Sequence, residues 1–441
     1  MSRPRAIALS VGALALLLAL TPFVPRGHHG GDGGLRPSGD QAASALLPAN
    51  AVGPSRVTPA MQSEIDRVVA AGRSAGRLVG RATPTALARS TAQLVRCADL
   101  DGQRYCLGVG WTDDTQADVQ DRVASAARMT GRVAAVDRTG DLDAAASLAR
   151  TARMSPAARA RSERSELELA ARSVAKVWLL RHEMQGVALP AGFLARHPEA
   201  RATVAVPTAA RTATASPKPS ASAKPSSAAA STKASAKPKP KPSAASTKPK
   251  TARSYPERST VMTVKRVTEQ KRTYWCGPTS MQMIAWGAGK AHSQQYWADK
   301  LGTTTGGTAI TDMVRVINRT TTWDSPKRAG TYVTLDIGDW SFNQWMLLMM
   351  RHIHDYRAPV VLHPALLKRY YPYLDDDASG HYQVGRGYDK NGAKPTLLGY
   401  FEPWNQQRFD PSEPYIARVQ WRRAYKSYRA NQAHFLHNVG V

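Results

Sequence analysis

Cysteine is scarce in this sequence, with only three residues among 441. The closely spaced histidine pairs His352-x-His354 and His434-x2-His437 have no cysteine near them, and the chain contains no His-Glu-x-x-His pattern. A strong zinc signature would need one of those features, because zinc sites in proteins combine Cys, His and acidic ligands at fixed spacings. We therefore predict neither a metal site nor a cofactor.

Acidic residues are also few, since 33 Asp and Glu stand against 60 Lys and Arg, for a formal charge of +27. The segment from Thr203 to Arg253 has no aromatic residue and consists almost entirely of Ala, Ser, Thr, Pro and Lys. Such a composition cannot bury a core, and proline with repelling lysines keeps it extended. We predict a disordered linker over residues 203–255. It is either a spacer alone or a spacer whose lysines also bind anionic cell-wall polymers.

The N-terminus lacks a small-x-small cleavage site directly after its apolar run. Arg3 and Arg5 precede that run, which extends from Ala6 to Leu20 in the layout of a secretory signal. The run is short for a full membrane span, and the candidate cleavage site at 49–51 is distant. We predict that residues 1–26 are a signal peptide or a membrane anchor. The protein would then be secreted or held at the cell surface, where it meets little nucleic acid, so no nucleic-acid partner is expected.

Residues 55–200 are predicted to form a separate, mostly helical N-terminal domain. Apolar residues that recur at spacings of three and four predict helices over 61–75, 115–129 and 162–184. Cys97 and Cys106 flank the turn signal Asp101-Gly102, so they either close a disulfide across a small hairpin or are two unconnected buried thiols. Substrate capture, a wall-associated module and an inhibitory pro-region are all compatible with this region.

The third cysteine, Cys276, lies in the run QKRTYWCGPTS at residues 270–280. Gly277 and Pro278 predict a tight entry into a helix, and a cysteine at a helix N-terminus is favoured as the thiolate. The backbone N–H of Cys276 and the side-chain amide of Gln270 could together form an oxyanion hole. Most free cysteines are simply small buried hydrophobes. An unpaired thiol in an exported chain instead indicates reactivity, so Cys276 is the candidate nucleophile.

The candidate base is His381, which begins a predicted strand in HYQVGRGYD. A second predicted strand, residues 395–401, ends just before Glu402. The loop between them contains Asn-Gly and favours a hairpin, which would bring His381 next to Glu402. A carboxylate there would orient the imidazole as the third member of a catalytic triad. Asn405 and Asp389 remain rival orienting groups.

These motifs together resemble those of papain-like cysteine peptidases of the bacteriocin-processing (double-glycine) family, and in particular its secreted actinobacterial peptidase-like branch. The resemblance covers about residues 258–441. It implies an α+β fold for a domain at 256–441, in which a helical part carrying Cys276 packs against an antiparallel sheet carrying His381. The family usually has Asp where this chain has Glu402. No export transporter is fused to the chain, so the leader-peptidase activity of such fusions is not carried over.

The predicted function is an exported cysteine peptidase or amidase that acts on a peptide or a cell-wall peptide. It would cleave a peptide or isopeptide bond through an acyl-enzyme, with Cys276, His381, Glu402 and Gln270 as the catalytic residues. Two other classes stay open. One is a thiol-dependent acyl or amide transferase on the same scaffold, and the other is a non-catalytic envelope-binding protein with a peptidase-like fold.

Overall fold

A computed structural model describes residues 52–74, 94–130, 139–142, 144–200, 250–263, 267–371, 374, 377–390, 397–404, 417–419, 427 and 437–441. The predicted signal or anchor segment 1–26, most of the predicted linker and Asn405 lie outside these residues. No helix in the described part of the chain is long and apolar enough to cross a membrane.

The described residues form α-helices and β-strands in alternating groups. The helices are α1 Pro59–Ser74, α2 Gln116–Thr130, α3 Ala144–Arg153, α4 Pro156–Ala171, α5 Val174–Gln185, α6 Phe193–Arg196, α7 Cys276–Gly287, α8 Gln294–Leu301, α9 Ile310–Thr320 and α10 Phe342–Met350, and a π-helical turn at Arg351–Asp355 follows α10. The strands are β1 Cys97–Leu100, β2 Gln103–Cys106, β3 Gly110–Thr112, β4 Arg258–Thr260, β5 Thr334–Asp336, β6 Val360–Leu362, β7 Gln383–Asp389, β8 Leu397–Phe401, β9 Ala417–Val419 and β10 Asn438–Gly440.

One mixed sheet connects all of these strands, in the order β1-β2-β3-β5-β10-β6-β7-β8-β9, with β4 paired to β7. Its described pairings are antiparallel except for β3 with β5, where Trp111 lies beside Leu335 in parallel register. Helices and a mixed sheet agree with the expected α+β class.

Both faces of the sheet are buried at strand β6. Along β6, Val361 belongs to one apolar cluster, which includes Met281 of α7 and Met313 of α9. Its neighbours Val360 and Leu362 belong to a second cluster. Because side chains alternate between the two faces of a strand, the two clusters cover opposite sides of the sheet. Helix α7, which carries Cys276, therefore packs on the face of the sheet that bears the Val361 side chain.

The predicted N-terminal region contributes strands to the same sheet as the C-terminal region. Strand β3 continues the sheet that contains the C-terminal strands, and a single apolar cluster joins Trp111 and Leu180 to Leu335 and Val360. If β1, β2 and β3 stood alone, the outer edge of β3 would be unpaired, and the pairing of Trp111 with Leu335 covers part of that edge. The described parts of 55–200 and 256–441 thus share one sheet and one core.

The last residues of the predicted linker pack against the C-terminal region. Nζ of Lys250 lies 2.9 Å from a carboxylate oxygen of Asp355, and the buried Tyr255 donates its hydroxyl hydrogen to the same carboxylate at 3.1 Å. Residues 250–255, which the composition assigns to the linker, are therefore packed against the C-terminal region.

Cys97 and Cys106 are joined by a disulfide across the hairpin formed by β1 and β2. Asp101 and Gly102 at the turn have φ angles of 50° and 77°, which is the conformation that a two-residue type I′ hairpin turn requires. The first of the two alternatives for these cysteines is therefore confirmed, and Cys276 is the free cysteine.

Replacing both Cys97 and Cys106 with alanine is expected to lower the free energy of unfolding by about 2–3 kcal/mol, because the bond closes a short loop in the unfolded chain. Urea unfolding followed by circular dichroism measures the loss, and reduction of the wild-type protein should reproduce it. An unchanged unfolding midpoint in both samples would contradict the expectation.

Candidate functional site

Cys276 is the first residue of helix α7, as the sequence predicted. The hydroxyl of Thr279 donates to the Trp275 carbonyl at 2.7 Å and fixes the first turn. A side-chain carbon at Gly277 would come within 2.5 Å of Oγ1 of Thr308, so this position needs glycine for close packing. Cys276 is fully buried.

The pKa of the Cys276 thiol is raised well above its ordinary value. Burial is the largest cause, and the negative charge of Asp141 adds to it. Backbone N–H groups of Tyr382 and Gly277 lower the pKa, but by less. The expected stabilisation of the thiolate by the helix N-terminus is therefore outweighed in this arrangement, and the thiol form prevails.

His381 and Glu402 are in direct contact, as the predicted hairpin requires. Strands β7 and β8 pair with Val384 opposite Phe401, which brings the residues just outside them together. Nε2 of His381 donates to Oε1 of Glu402 at 2.6 Å, and both side chains are fully buried. Nδ1 of His381 has no hydrogen-bond partner among the described residues.

Glu402 is held as a carboxylate by several donors. Nε2 of Gln383 donates to its Oε2 at 2.6 Å, and the backbone N–H of Trp404 donates to its Oε1 at 2.8 Å. Burial raises the pKa of the Glu402 carboxyl. The charge of His381 and these hydrogen bonds together lower it by more, so the net pKa lies below the ordinary value.

The rival carboxylate, Asp389, lies at the far end of β7. Its Oδ2 is 2.7 Å from Nε of Arg258, and a strand rises about 3.3 Å per residue, which separates it from His381 by roughly 20 Å or more. The contact with His381 therefore goes to Glu402 rather than to Asp389.

Two contacts set the position of helix α7 relative to His381. The hydroxyl of Ser280 donates to the Tyr382 carbonyl at 3.1 Å. The hydroxyl of Tyr382 donates in turn to the Thr308 carbonyl at 2.9 Å, and Thr308 packs against Gly277. The residues that follow Cys276 and His381 are thus tied to one another and to a common neighbour.

Gln270 and the backbone of Cys276 converge on one oxygen atom. The carbonyl oxygen of Thr139 accepts a hydrogen bond from the Cys276 N–H at 3.3 Å and another from Nε2 of Gln270 at 3.2 Å. Nε2 of Gln270 also contacts the carbonyls of Arg272 and Thr273. The two groups expected to form an oxyanion hole thus share the Thr139 carbonyl as an acceptor.

Sequence reasoning missed several residues of this site. Gln383 could have been found, because it is two residues after His381 and such positions share a face in extended chain. The segment Thr139–Leu142, called the inserted segment below, has no local signal that would place it beside Cys276. Its Asp141 contacts Nε2 of the buried His363 at 2.9 Å, which the sequence also left unassigned.

Residues 262–432 match the model of the Peptidase_C39 like family, a match that covers less than half of the 441 residues. All four candidate residues, Gln270, Cys276, His381 and Glu402, lie within it. The match confirms the resemblance drawn from the motifs and indicates cysteine-peptidase-type chemistry. No curated protein and no solved structure matched the chain significantly.

Proposed function

We propose that this protein is a cysteine peptidase or amidase in which Cys276 is the nucleophile and His381 is the base. The observation that carries the proposal is the pair of donors, Cys276 N–H and Gln270 Nε2, that hold one carbonyl oxygen beside the nucleophile. A peptidase needs such donors where charge develops on the attacked carbonyl. The family match over residues 262–432 supports the same chemistry.

The proposed reaction begins with proton transfer from the Cys276 thiol to Nδ1 of His381. That nitrogen is the one left for the thiol, because Nε2 is hydrogen-bonded to Glu402. The thiolate attacks the amide carbonyl, and Cys276 N–H and Gln270 stabilise the resulting oxyanion. The intermediate collapses to a thioester as the C–N bond breaks, and His381 returns its proton to the leaving amine.

Hydrolysis of the thioester completes the proposed cycle. His381 takes a proton from water, and the hydroxide adds to the acyl carbon. The Cys276 thiolate then leaves as the product acid forms, and His381 returns the proton to that thiolate. Glu402 keeps the imidazole oriented and stabilises its charged form throughout. Its carboxylate takes the place of the aspartate that the family usually has, and its lowered pKa suits that role.

The proposed setting is outside the cytoplasm. The N-terminal run at residues 1–26 would direct export or anchor the chain, and the Lys-rich linker would hold the enzyme near anionic wall polymers. A peptide or a cell-wall peptide is then the proposed substrate. The complete burial of Cys276 favours the non-catalytic alternative unless the site opens.

Product analysis tests the function and separates it from both alternatives. The full chain and its Cys276→Ala variant are incubated with a defined peptide mixture and with purified wall peptides, with and without an added primary amine, and products are identified by mass. We expect products carrying a new carboxylate, formed only when Cys276 is present. Amine adducts alone would identify a transferase, and the absence of any product would favour the envelope-binding protein.

A further inference from the structure

The inserted segment occupies the place that a substrate peptide needs. Its Thr139 carbonyl oxygen accepts hydrogen bonds from both Cys276 N–H and Gln270 Nε2. A substrate carbonyl must reach these same two donors if they are to stabilise its oxyanion. One oxygen atom is already there, so the two carbonyls exclude each other.

Hydrogen bonds hold the segment on two sides, and those to Thr308 run between main chains, as they would for an added strand. The Thr139 N–H donates to Oγ of Ser379 at 3.0 Å, and the Thr139 hydroxyl donates to the carbonyl of Gly380, the residue before His381, at 2.7 Å. On the other side, Thr308 N–H donates to the Gly140 carbonyl at 2.9 Å, and Leu142 N–H donates to the Thr308 carbonyl at 2.8 Å. Thr139 is fully buried.

Gly140 is the residue that makes the fit possible. Its φ angle is +108°, and a side-chain carbon there would overlap the backbone of Tyr274, four residues after Gln270. An alanine at this position would meet both an unfavourable backbone conformation and a steric clash. The close approach of the two backbones therefore depends on glycine.

The segment is also anchored by a charged side chain. Oδ2 of Asp141 lies 2.9 Å from Nε2 of His363, and Nδ1 of His363 lies 2.8 Å from Oδ1 of Asn438, with all three side chains buried. Asp141 adds a negative charge close enough to Cys276 to oppose thiolate formation. The segment thus fills the oxyanion position and disfavours the reactive form of the nucleophile.

We infer that the inserted segment Thr139–Leu142 is an intramolecular pseudosubstrate, which holds the Cys276 site closed until it is displaced. The inference rests on the proposed function, because it assigns the regulation of the same site. It also assigns a role to the N-terminal region, which shares the sheet with the peptidase region and supplies the closing segment.

Labelling of the free thiol tests the inference in the full chain. Because Cys97 and Cys106 are bonded to each other, Cys276 is the thiol that iodoacetamide modifies, and intact mass gives the rate. Gly140→Ala is expected to accelerate labelling at least about tenfold at pH 8 by favouring the displaced segment. The matched control is Gly108→Ala, since Gly108 also has a positive φ, +75°, but nothing lies within 4 Å of its added carbon. It should label within about twofold of wild type.

A second variant, Asp141→Asn, keeps the size of the side chain but weakens the anchor to His363, and it too should label faster than wild type. Asp141→Asn replaces Gly140→Ala in the labelling test if circular dichroism shows that Gly140→Ala is unfolded. Wild-type labelling as fast as in urea, or no acceleration in either folded variant, would overturn the inference. So would cleavage of the wild type at the Thr139–Gly140 bond with Cys276→Ala left intact, because the segment would then be a substrate.

Hydrolysis measured on the same samples separates the inference from the proposed function. Faster labelling of Gly140→Ala without hydrolysis of any peptide would support the inference that the segment closes the site, and it would contradict the proposed peptidase function. Equal rates of peptide hydrolysis by wild type and Gly140→Ala would support the proposed peptidase function, and they would contradict the inference that the segment closes the site.

Discussion

Replacing Cys276 with alanine is expected to lower peptide hydrolysis by about 10⁴–10⁶-fold, which is the scale seen when a catalytic nucleophile is removed. No other thiol can substitute, since Cys97 and Cys106 are bonded to each other. The comparison is made on kcat/KM in both the wild-type and the Gly140→Ala background, so that closure of the site does not hide the effect. Residual activity close to that of the parent would contradict the assignment of the nucleophile.

His381→Ala provides the matched comparison for this prediction. Its loss should be of similar size, and the Cys276→Ala/His381→Ala double variant should be no slower than either single variant. Residues that act as one unit show this non-additivity, because the first removal already abolishes the step. Losses that multiply in the double variant would mean that the two residues do not act together.

Glu402→Gln is expected to lower kcat by about 10²–10⁴-fold with little change in KM, by analogy with the loss of the orienting carboxylate from a triad. Glutamine keeps the volume of the side chain, but it removes the charge that stabilises a protonated His381. The control is Asp389→Asn, which removes the rival carboxylate at the other end of β7, where it pairs with Arg258. That variant should keep its kcat even if it loses stability.

The free energy of unfolding of the wild type and of Glu402→Gln should depend differently on pH. The pKa of Glu402 is lower in the folded protein than its ordinary value, so its contribution to stability is present above the unfolded pKa and is lost as the pH falls through the folded one. The stability difference between wild type and Glu402→Gln should therefore be constant above about pH 5. It should shrink below about pH 4.3, the ordinary pKa of glutamic acid. A difference that grows with acidification would contradict a charged, hydrogen-bonded Glu402.

Local features of this site could be predicted from the sequence. The sequence of two alternating segments joined by a short loop predicted the hairpin that places His381 against Glu402, and Gly277-Pro278 marked the start of helix α7 at Cys276. The Asp101-Gly102 turn likewise indicated a hairpin across which Cys97 and Cys106 could pair, one of the two alternatives for these cysteines. In each case the interacting residues are close in the chain, so turn chemistry and periodicity determine the contact.

Contacts between distant parts of the chain could not be predicted in this way. The pairing of Trp111 with Leu335 and the contact of Thr139 with Gln270 each join residues that are more than a hundred positions apart. Periodicity shows which face of an element is apolar but not which partner covers it. The single predicted helix over 162–184 is likewise divided into α4 and α5 around Arg172 and Ser173, a break that its composition does not signal.

The central claim is that Cys276 and His381 form an activated pair once the inserted segment is displaced. The most direct measurement is the rate of Cys276 labelling by a mild electrophile from about pH 4 to 9, a range that brackets the ordinary thiol pKa of about 8.5. It compares Gly140→Ala with Gly140→Ala/His381→Ala. The account predicts rapid labelling of Gly140→Ala well below that pKa and a clear loss of it without His381. Labelling of both variants only at high pH, with equal rates, would contradict the account.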